Sequence, residues 1–182
     1  MTNKRRLVCN SKAARFLLRL DEQLGLFLDE TLDGIQKPSV ALKYGSEWRV
    51  VRREIEIAQL RSEERKRLHE LRQRDILRVR RVADKYRIAL TGKGMVELFR
   101  IKVVNADLLE DGSVCMVVFD IPEDHRKLRG QLRLFLIQAG FMCIQRSVWI
   151  SPFNAAESLS QLFKVSNSSK WIRVFIANEI KE

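Results

Sequence analysis

The stretch VCMVVFDI, residues 114–121, is a continuous apolar run broken only near its end by Asp120. A short run of this kind reads as a strand. Its unbroken apolarity, in place of alternation, predicts a central strand buried on both faces. The elements that follow fall into line behind it. Asp124 is positioned to cap a helix with Leu128, Leu132, Phe135, Leu136 and Ala139 in register, and Gly140 closes it. FMCIQ and SVWI then give two strands around Gln145–Ser147. Asn154 with Glu157 resembles a capping box ahead of AAESLSQLF, and WIRVFIA (171–177) supplies a fourth strand. The order βαββαβ predicts a ferredoxin-like split βαβ unit.

Upstream, the periodicity is helical. Phe16, Leu17, Leu20, Leu24, Phe27 and Leu28 recur at helix spacing within 13–32, about five turns. Asp21, Glu22, Asp29 and Glu30 on its polar side argue against a membrane-surface helix and for packing onto the next domain or a dimer mate. Gly34 and Pro38 mark a loop. Residues 46–59 predict a second helix with Trp48, Val51, Ile55 and Ala58 on one face and Arg49, Arg52 and Arg53 elsewhere. A third follows Leu60, with Ser62 as N-cap and Glu63 and Glu64 at its positive end, and runs to about Arg74. ILRVRR (76–81) and KYRIAL (85–90) alternate and read as a β-hairpin, after which Thr91 caps GKGMVELFRIKV. Helix, helix, hairpin, helix is the winged-helix pattern. The chain is thus expected to be α+β: an amphipathic helix and loop (1–42), a winged-helix domain (43–103), a linker (104–113) and a ferredoxin-like domain (114–182).

Charge is distributed unevenly over these parts. The chain carries a net +11 with a pI near 10.0. Residues 43–102 hold eighteen Lys/Arg against nine Asp/Glu, a net +9, whereas 103–182 hold nine of each. An excess confined to one module points to a polyanion-binding face with a separate assembly module behind it. Arg61, Arg65 and Arg72 share one face of the third helix while Leu68 and Leu71 face inward; Arg49, Arg52, Arg53, Arg67 and Arg74 add to the field, and Lys85 and Arg87 work from the wing. Long cations on a recognition helix serve phosphates and guanine edges of double-stranded DNA. The competing reading is a self-paired, solvated helix, since Glu63–Arg67, Lys66–Glu70 and Glu70–Arg74 are spaced i,i+4. Arg78, Arg80 and Arg81 on the hairpin favour DNA, with RNA as the third possibility.

Other classes find less support. Cys9, Cys115 and Cys143 have no CxxC spacing, and only His69 and His125 add imidazole, which speaks against structural zinc. Cys115 and Cys143 lie in apolar runs and are expected to be buried thiols in a reducing, cytoplasmic compartment. Arg15, Arg19, Asp21 and Glu22 interrupt the first apolar stretch, so neither a signal peptide nor a membrane span is expected. No Gly-rich phosphate loop and no nucleophile triad stand out, and no catalytic residue is assigned.

FDIPED, the basic amphipathic helix after it, Ala139-Gly140-Phe141 and the QRSVWISP hairpin together resemble the small CRISPR-associated adaptation protein, the dimeric partner of the spacer integrase. They also resemble the related domain of repressors of the phenylacetic-acid-degradation (PaaX) type, and KYRIALTGKG resembles the wing and helix of that family's winged-helix fusions. The resemblance implies a homodimer formed through the sheets. It places Asp120, one from each protomer, at the acidic position proposed to hold Mg²⁺ in members that cut nucleic acid, with Glu123 and Asp124 nearby. The alternative for Asp120 is a structural role at the strand–helix turn. Arg126, Arg129 and Arg133 form a basic face that either touches DNA or solvates its helix, and His125 is expected at the surface. Two functions follow from the resemblance: a DNA-binding transcriptional regulator, or a Mg²⁺-dependent nuclease or adaptor of a spacer-integration complex with a CRISPR integrase as partner.

Overall fold

The computed structural model describes residues 6–24, 53–56 and 60–178, which divide into two compact units between Leu98 and Phe99. The first contains α1 (Lys12–Leu24), β1 (Arg53–Glu56), α2 (Ser62–Gln73), β2 (Leu77–Val82) and β3 (Lys85–Leu90), and α3 (Gly92–Val104) spans the division. Among the described residues, no helix is long and apolar enough to cross a membrane.

Helix α1 begins where the Ser11 hydroxyl accepts the Ala14 N–H at 3.1 Å. Ala13, Phe16, Leu17 and Leu20 are buried along its inner face, and each leucine contributes about 2 kcal/mol by leaving water. The expected helix is therefore present, its stretch beyond Leu24 lying outside the described residues. Asp21, expected on the polar side, is only 7% exposed.

Residues 53–56 depart from the sequence expectation. They form a strand, not part of a helix, and pair antiparallel with β3 so that Ile55 stands opposite Tyr86. Helix propensity is a weak force beside the free backbone edge of β3, whose N–H and C=O groups gain a second row of partners in the order β1-β3-β2. Residues 46–52 and 57–59 of the expected helix lie outside the described residues. The N-cap of α2 is Arg61, not Ser62: the Arg61 N–H donates to the Glu64 carboxylate at 2.9 Å. Thr91 does cap α3, accepting the Gly94 N–H at 2.8 Å while its hydroxyl donates to the Asp75 carbonyl at 2.6 Å. Gly94 is required here, because a Cβ would sit 2.0 Å from the Ile76 carbonyl oxygen.

The second unit contains β4 (Val114–Phe119), a 3-10 turn (Glu123–His125), α4 (Arg126–Gln138), β5 (Met142–Gln145), β6 (Val148–Ser151), α5 (Ala156–Val165) and β7 (Ile172–Ala177). The expected βαββαβ order is present. Its strands form one antiparallel sheet in the order β5-β6-β4-β7. One face is covered: Cys115, Val117, Phe119, Trp149 and Ile172 are buried, as are Leu132, Phe135 and Leu136 of α4 and Leu159, Leu162 and Phe163 of α5. Among the described residues the other face is less covered. Met116, Val118, Val148 and Ile150 are half-buried, and Phe175 and Met142 are 45% and 67% exposed. The central strand is therefore apolar on both sides yet fully buried by the described residues on one.

Three smaller expectations are corrected. Asp124 lies within the 3-10 turn, the N-cap position of α4 is His125, and no side chain caps it. Asn154 does not cap α5; its N–H donates to the Asp107 carbonyl at 2.7 Å, and Glu157 accepts from Gln161 instead. Cys143 is exposed because β5 is an edge strand, exposed at all four positions. Gly140 closes α4 as expected, at φ +82°, with the Phe141 N–H reaching back to Leu136 at 2.9 Å. Residues 104–113 are tied to the second unit by the Leu109 N–H to Pro152 carbonyl bond of 2.8 Å and a Leu108–Phe153 bridge.

Candidate nucleic-acid interface

In the first unit the cations of α2 separate into two groups. Leu68 and Leu71 are buried, as expected, which turns Arg61, Arg65 and Arg72 outward into solvent. Arg67 and Arg74 are engaged within the helix: Arg67 reaches Glu70 at 2.8 Å and Glu63 at 3.5 Å, and Arg74 reaches Glu70 at 3.1 Å. Lys66 pairs with Glu63 at 2.7 Å, not with Glu70. That bond and the ammonium charge hold the Glu63 carboxyl below the usual carboxylate range. So the self-paired reading describes Arg67, Arg74 and Lys66, while Arg61, Arg65 and Arg72 fit the binding reading. The Arg65 guanidinium also donates to the Leu60 carbonyl at 3.2 Å, which fixes its stem.

The hairpin adds a second group. Arg80 stands opposite Arg87, Val82 opposite Lys85 and Arg78 opposite Ala89, so four cations share one face of the sheet. Arg78 and Arg80 are exposed, and Lys85 and Arg87 are half-buried. On the far side of β3 the register sets Glu54 against Arg87 and Glu56 against Lys85. Arg81 falls on the opposite face and its guanidinium donates to the Ala83 carbonyl at 3.2 Å. Arg53 is at a β1 register position opposite Ile88, and Arg49 and Arg52 lie outside the described residues.

Helix α1 contributes cations that the sequence reading passed over. Lys12, Arg15 and Arg19 line an open cleft of about 440 Å³ with Glu63, Glu64 and Arg67 of α2. Arg19 bonds Glu64 at 2.7 Å. Thus α1 packs on α2 in cis, and its outer side is basic. The acidic residues read as its polar face obscured this, since Asp21 turns inward.

In the second unit, Asp120 is exposed at the end of β4, and its N–H donates to the Trp171 carbonyl at 2.9 Å. It lines an open cleft of about 880 Å³ with Glu123, Arg129, Arg133, Arg146, Lys170 and Arg173. Glu123 is bonded to Arg129, whose hydrogen bond and charge lower its carboxyl below the ordinary range. The residues here do not fit a magnesium ion. Mg²⁺ is held by hard oxygen donors, yet the cleft that Asp120 lines holds five guanidinium and ammonium groups against two carboxylates. No group of three or more His, Cys, Asp or Glu side chains able to hold a metal occurs among the described residues. His125, expected at the surface, packs its ring 4.4 Å from that of Trp171. Arg129 and Arg133 face the cleft, and Arg126 is exposed. Arg146, Lys170 and Arg173 were not anticipated. They are scattered along a stretch whose charges sum to zero, so only the fold brings them together.

No curated protein matches the chain. Residues 110–182, the span of the four-stranded sheet and its two helices, match the family model described as the PaaX protein central Cas2-like domain, and the C-terminal region of this chain is such a domain.

Proposed function

We propose that this chain is a PaaX-type transcriptional regulator, which binds duplex DNA as a homodimer through a basic winged helix. One observation carries the reading: a PaaX central Cas2-like domain shares the chain with a unit in which an Arg-rich helix and an Arg-rich hairpin sit side by side. A winged helix is a small helical core closed by a three-stranded sheet whose last two strands form the wing. The β1-β3-β2 order, with α2 leading directly into β2, agrees with that plan. In this reading α2 enters the major groove with Arg61, Arg65 and Arg72, and Arg78, Arg80, Lys85 and Arg87 contact flanking phosphates. Arg49, Arg52 and Arg53 precede α2 in the same basic stretch of the sequence.

The ferredoxin-like domains pair through the uncovered face of their sheets. A sheet that presents Met116, Ile150, Phe175 and Met142 to solvent leaves a contiguous apolar surface that calls for a partner. A two-fold dimer would set two winged helices on two half-sites.

The test is a gel shift on the promoter of the chain's own gene at low and moderate salt. We expect a specific shift that weakens steeply as salt rises, because each neutralised phosphate releases counterions. No shift at either salt concentration would overturn the reading.

A further inference from the structure

We infer that the cleft at the end of β4 is a phosphate-binding site, built where the family resemblance would place a metal. The inference is independent of the winged-helix reading, because every group it uses lies in the second unit.

Five cations and two carboxylates line the cleft, a net +3. One carboxylate, Glu123, is already matched by Arg129. That leaves Arg133, Arg146, Lys170 and Arg173 in the same cleft as Asp120, and none of the four makes an ion pair with a carboxylate among the described residues. Four cations sharing an open cleft with one carboxylate disfavour a dication and attract an anion of more than one charge.

Arg133, Lys170 and Arg173 are held by neutral groups, which do not neutralise their charge. Arg133 donates one N–H to the Arg146 carbonyl at 3.0 Å, and Arg173 donates one to the Ser169 carbonyl at 3.0 Å. The Lys170 ammonium lies 4.0 Å from the centre of the Trp171 ring, and the Arg133 guanidinium lies 5.8 Å from that of Phe119. A guanidinium has five N–H donors in a rigid fork, so anchoring one of them leaves the rest for the paired oxygens of a phosphate. Arg146 sits on the β5–β6 turn, Arg133 on α4, and Lys170 and Arg173 flank the start of β7. Cations from three separate elements thus enter one open cleft. A merely solvated surface has no reason to collect them, since each added like charge costs free energy unless an anion offsets it.

The ligand is phosphate-bearing, with two sources of the same chemistry: the backbone of a bound nucleic acid, or a free phosphorylated molecule. Tripolyphosphate is a suitable probe. Titrated calorimetrically into the full-length protein at moderate salt, it should bind saturably, once per chain. Affinity should fall about tenfold or more in the double variant Arg146→Ala/Lys170→Ala. Both positions line an open cleft, and equal melting temperatures would confirm that the variant is folded. Anisotropy of a labelled duplex separates the sources. If the double variant loses duplex affinity as well, the cleft takes nucleic-acid backbone. If it loses tripolyphosphate alone, the ligand is a free phosphorylated molecule. Arg72→Ala, in the first unit, should leave tripolyphosphate binding unchanged. Absence of saturable binding, or equal affinity in the double variant, overturns the inference. So does tight Mg²⁺ binding, without polyphosphate, that is lost in Asp120→Asn. The tripolyphosphate titration does not depend on the promoter shift, so the two readings fail separately.

Discussion

Arg80 on β2 stands directly opposite Arg87 on β3, two arginines facing each other across antiparallel strands. Like charges at facing positions destabilise a hairpin, and the two share one face of the sheet with Arg78 and Lys85. Such a pair is understandable if the strands exist to meet an anion. Arg80→Ala should leave the melting temperature unchanged or slightly higher, while duplex affinity falls and the salt slope flattens by about one phosphate contact. Equal affinity at every salt concentration would remove the hairpin from the interface.

Within α2 the exposed and engaged arginines should behave differently. Arg72 is exposed, whereas Arg67 is held between Glu63 and Glu70. Arg72→Ala is expected to weaken duplex binding several-fold with little change in stability. Arg67→Ala should cost less binding and slightly more stability, its half-buried pair with Glu70 contributing about 1 kcal/mol. The reverse ranking in anisotropy titrations would mean that α2 presents another face to DNA.

How far the sequence revealed all this depended on the range of the interactions. The βαββαβ order, the Thr91 cap and the Gly140 closure were legible because each rests on neighbours along the chain. Ile55 was misread because its partner, Tyr86, is thirty-one positions away, and pairing to a strand edge outweighed local helix spacing. The open face of β4 was hidden for a related reason. Periodicity registers that Met116 and Val118 are apolar but not whether the same chain covers them. The Asp120 cleft was least legible of all, since Arg133, Arg146, Lys170 and Arg173 are brought together only by the turns of the second unit, and counting charge over 103–182 cancels them against acids elsewhere.

Phe175 lies opposite Met116 on the uncovered face and is 45% exposed. Phe175→Glu places a charge on that face without touching the buried side of the sheet. Sedimentation should give two chains per particle for the native protein and one for the variant, and duplex affinity should fall with the loss of the second half-site. A variant that still sediments as two chains would assign the dimer to another surface.

Gly94 offers a test of the first unit's packing. A methyl group at this position would lie 2.0 Å from the Ile76 carbonyl oxygen and 3.0 Å from Leu90. The obstruction is mainly backbone, so α3 must move off the strand. Gly94→Ala should cost about 1–3 kcal/mol, the range for overpacking, despite alanine's better helix propensity. Urea unfolding measures it, and a stabilised variant would show that the first turn of α3 is not packed against Ile76.

The cysteines should separate by reactivity. Cys115 is fully buried under α4 and α5, and burial pushes its thiol up to about 11, the Ala155 N–H offsetting only part of the effect. The thiolate is the nucleophile, so native Cys115 should resist iodoacetamide at about pH 8 while the exposed Cys143 reacts. The sign for stability follows from the same shift. An unfolded chain ionises this thiol near its ordinary value of 9.0, whereas the native fold keeps it neutral. Its contribution is therefore fully present below about pH 8.5 and is lost as pH climbs from there towards 11. Mass-resolved alkylation that modifies Cys115 as fast as Cys143 in the folded protein would mean that β4 is not sealed beneath its helices.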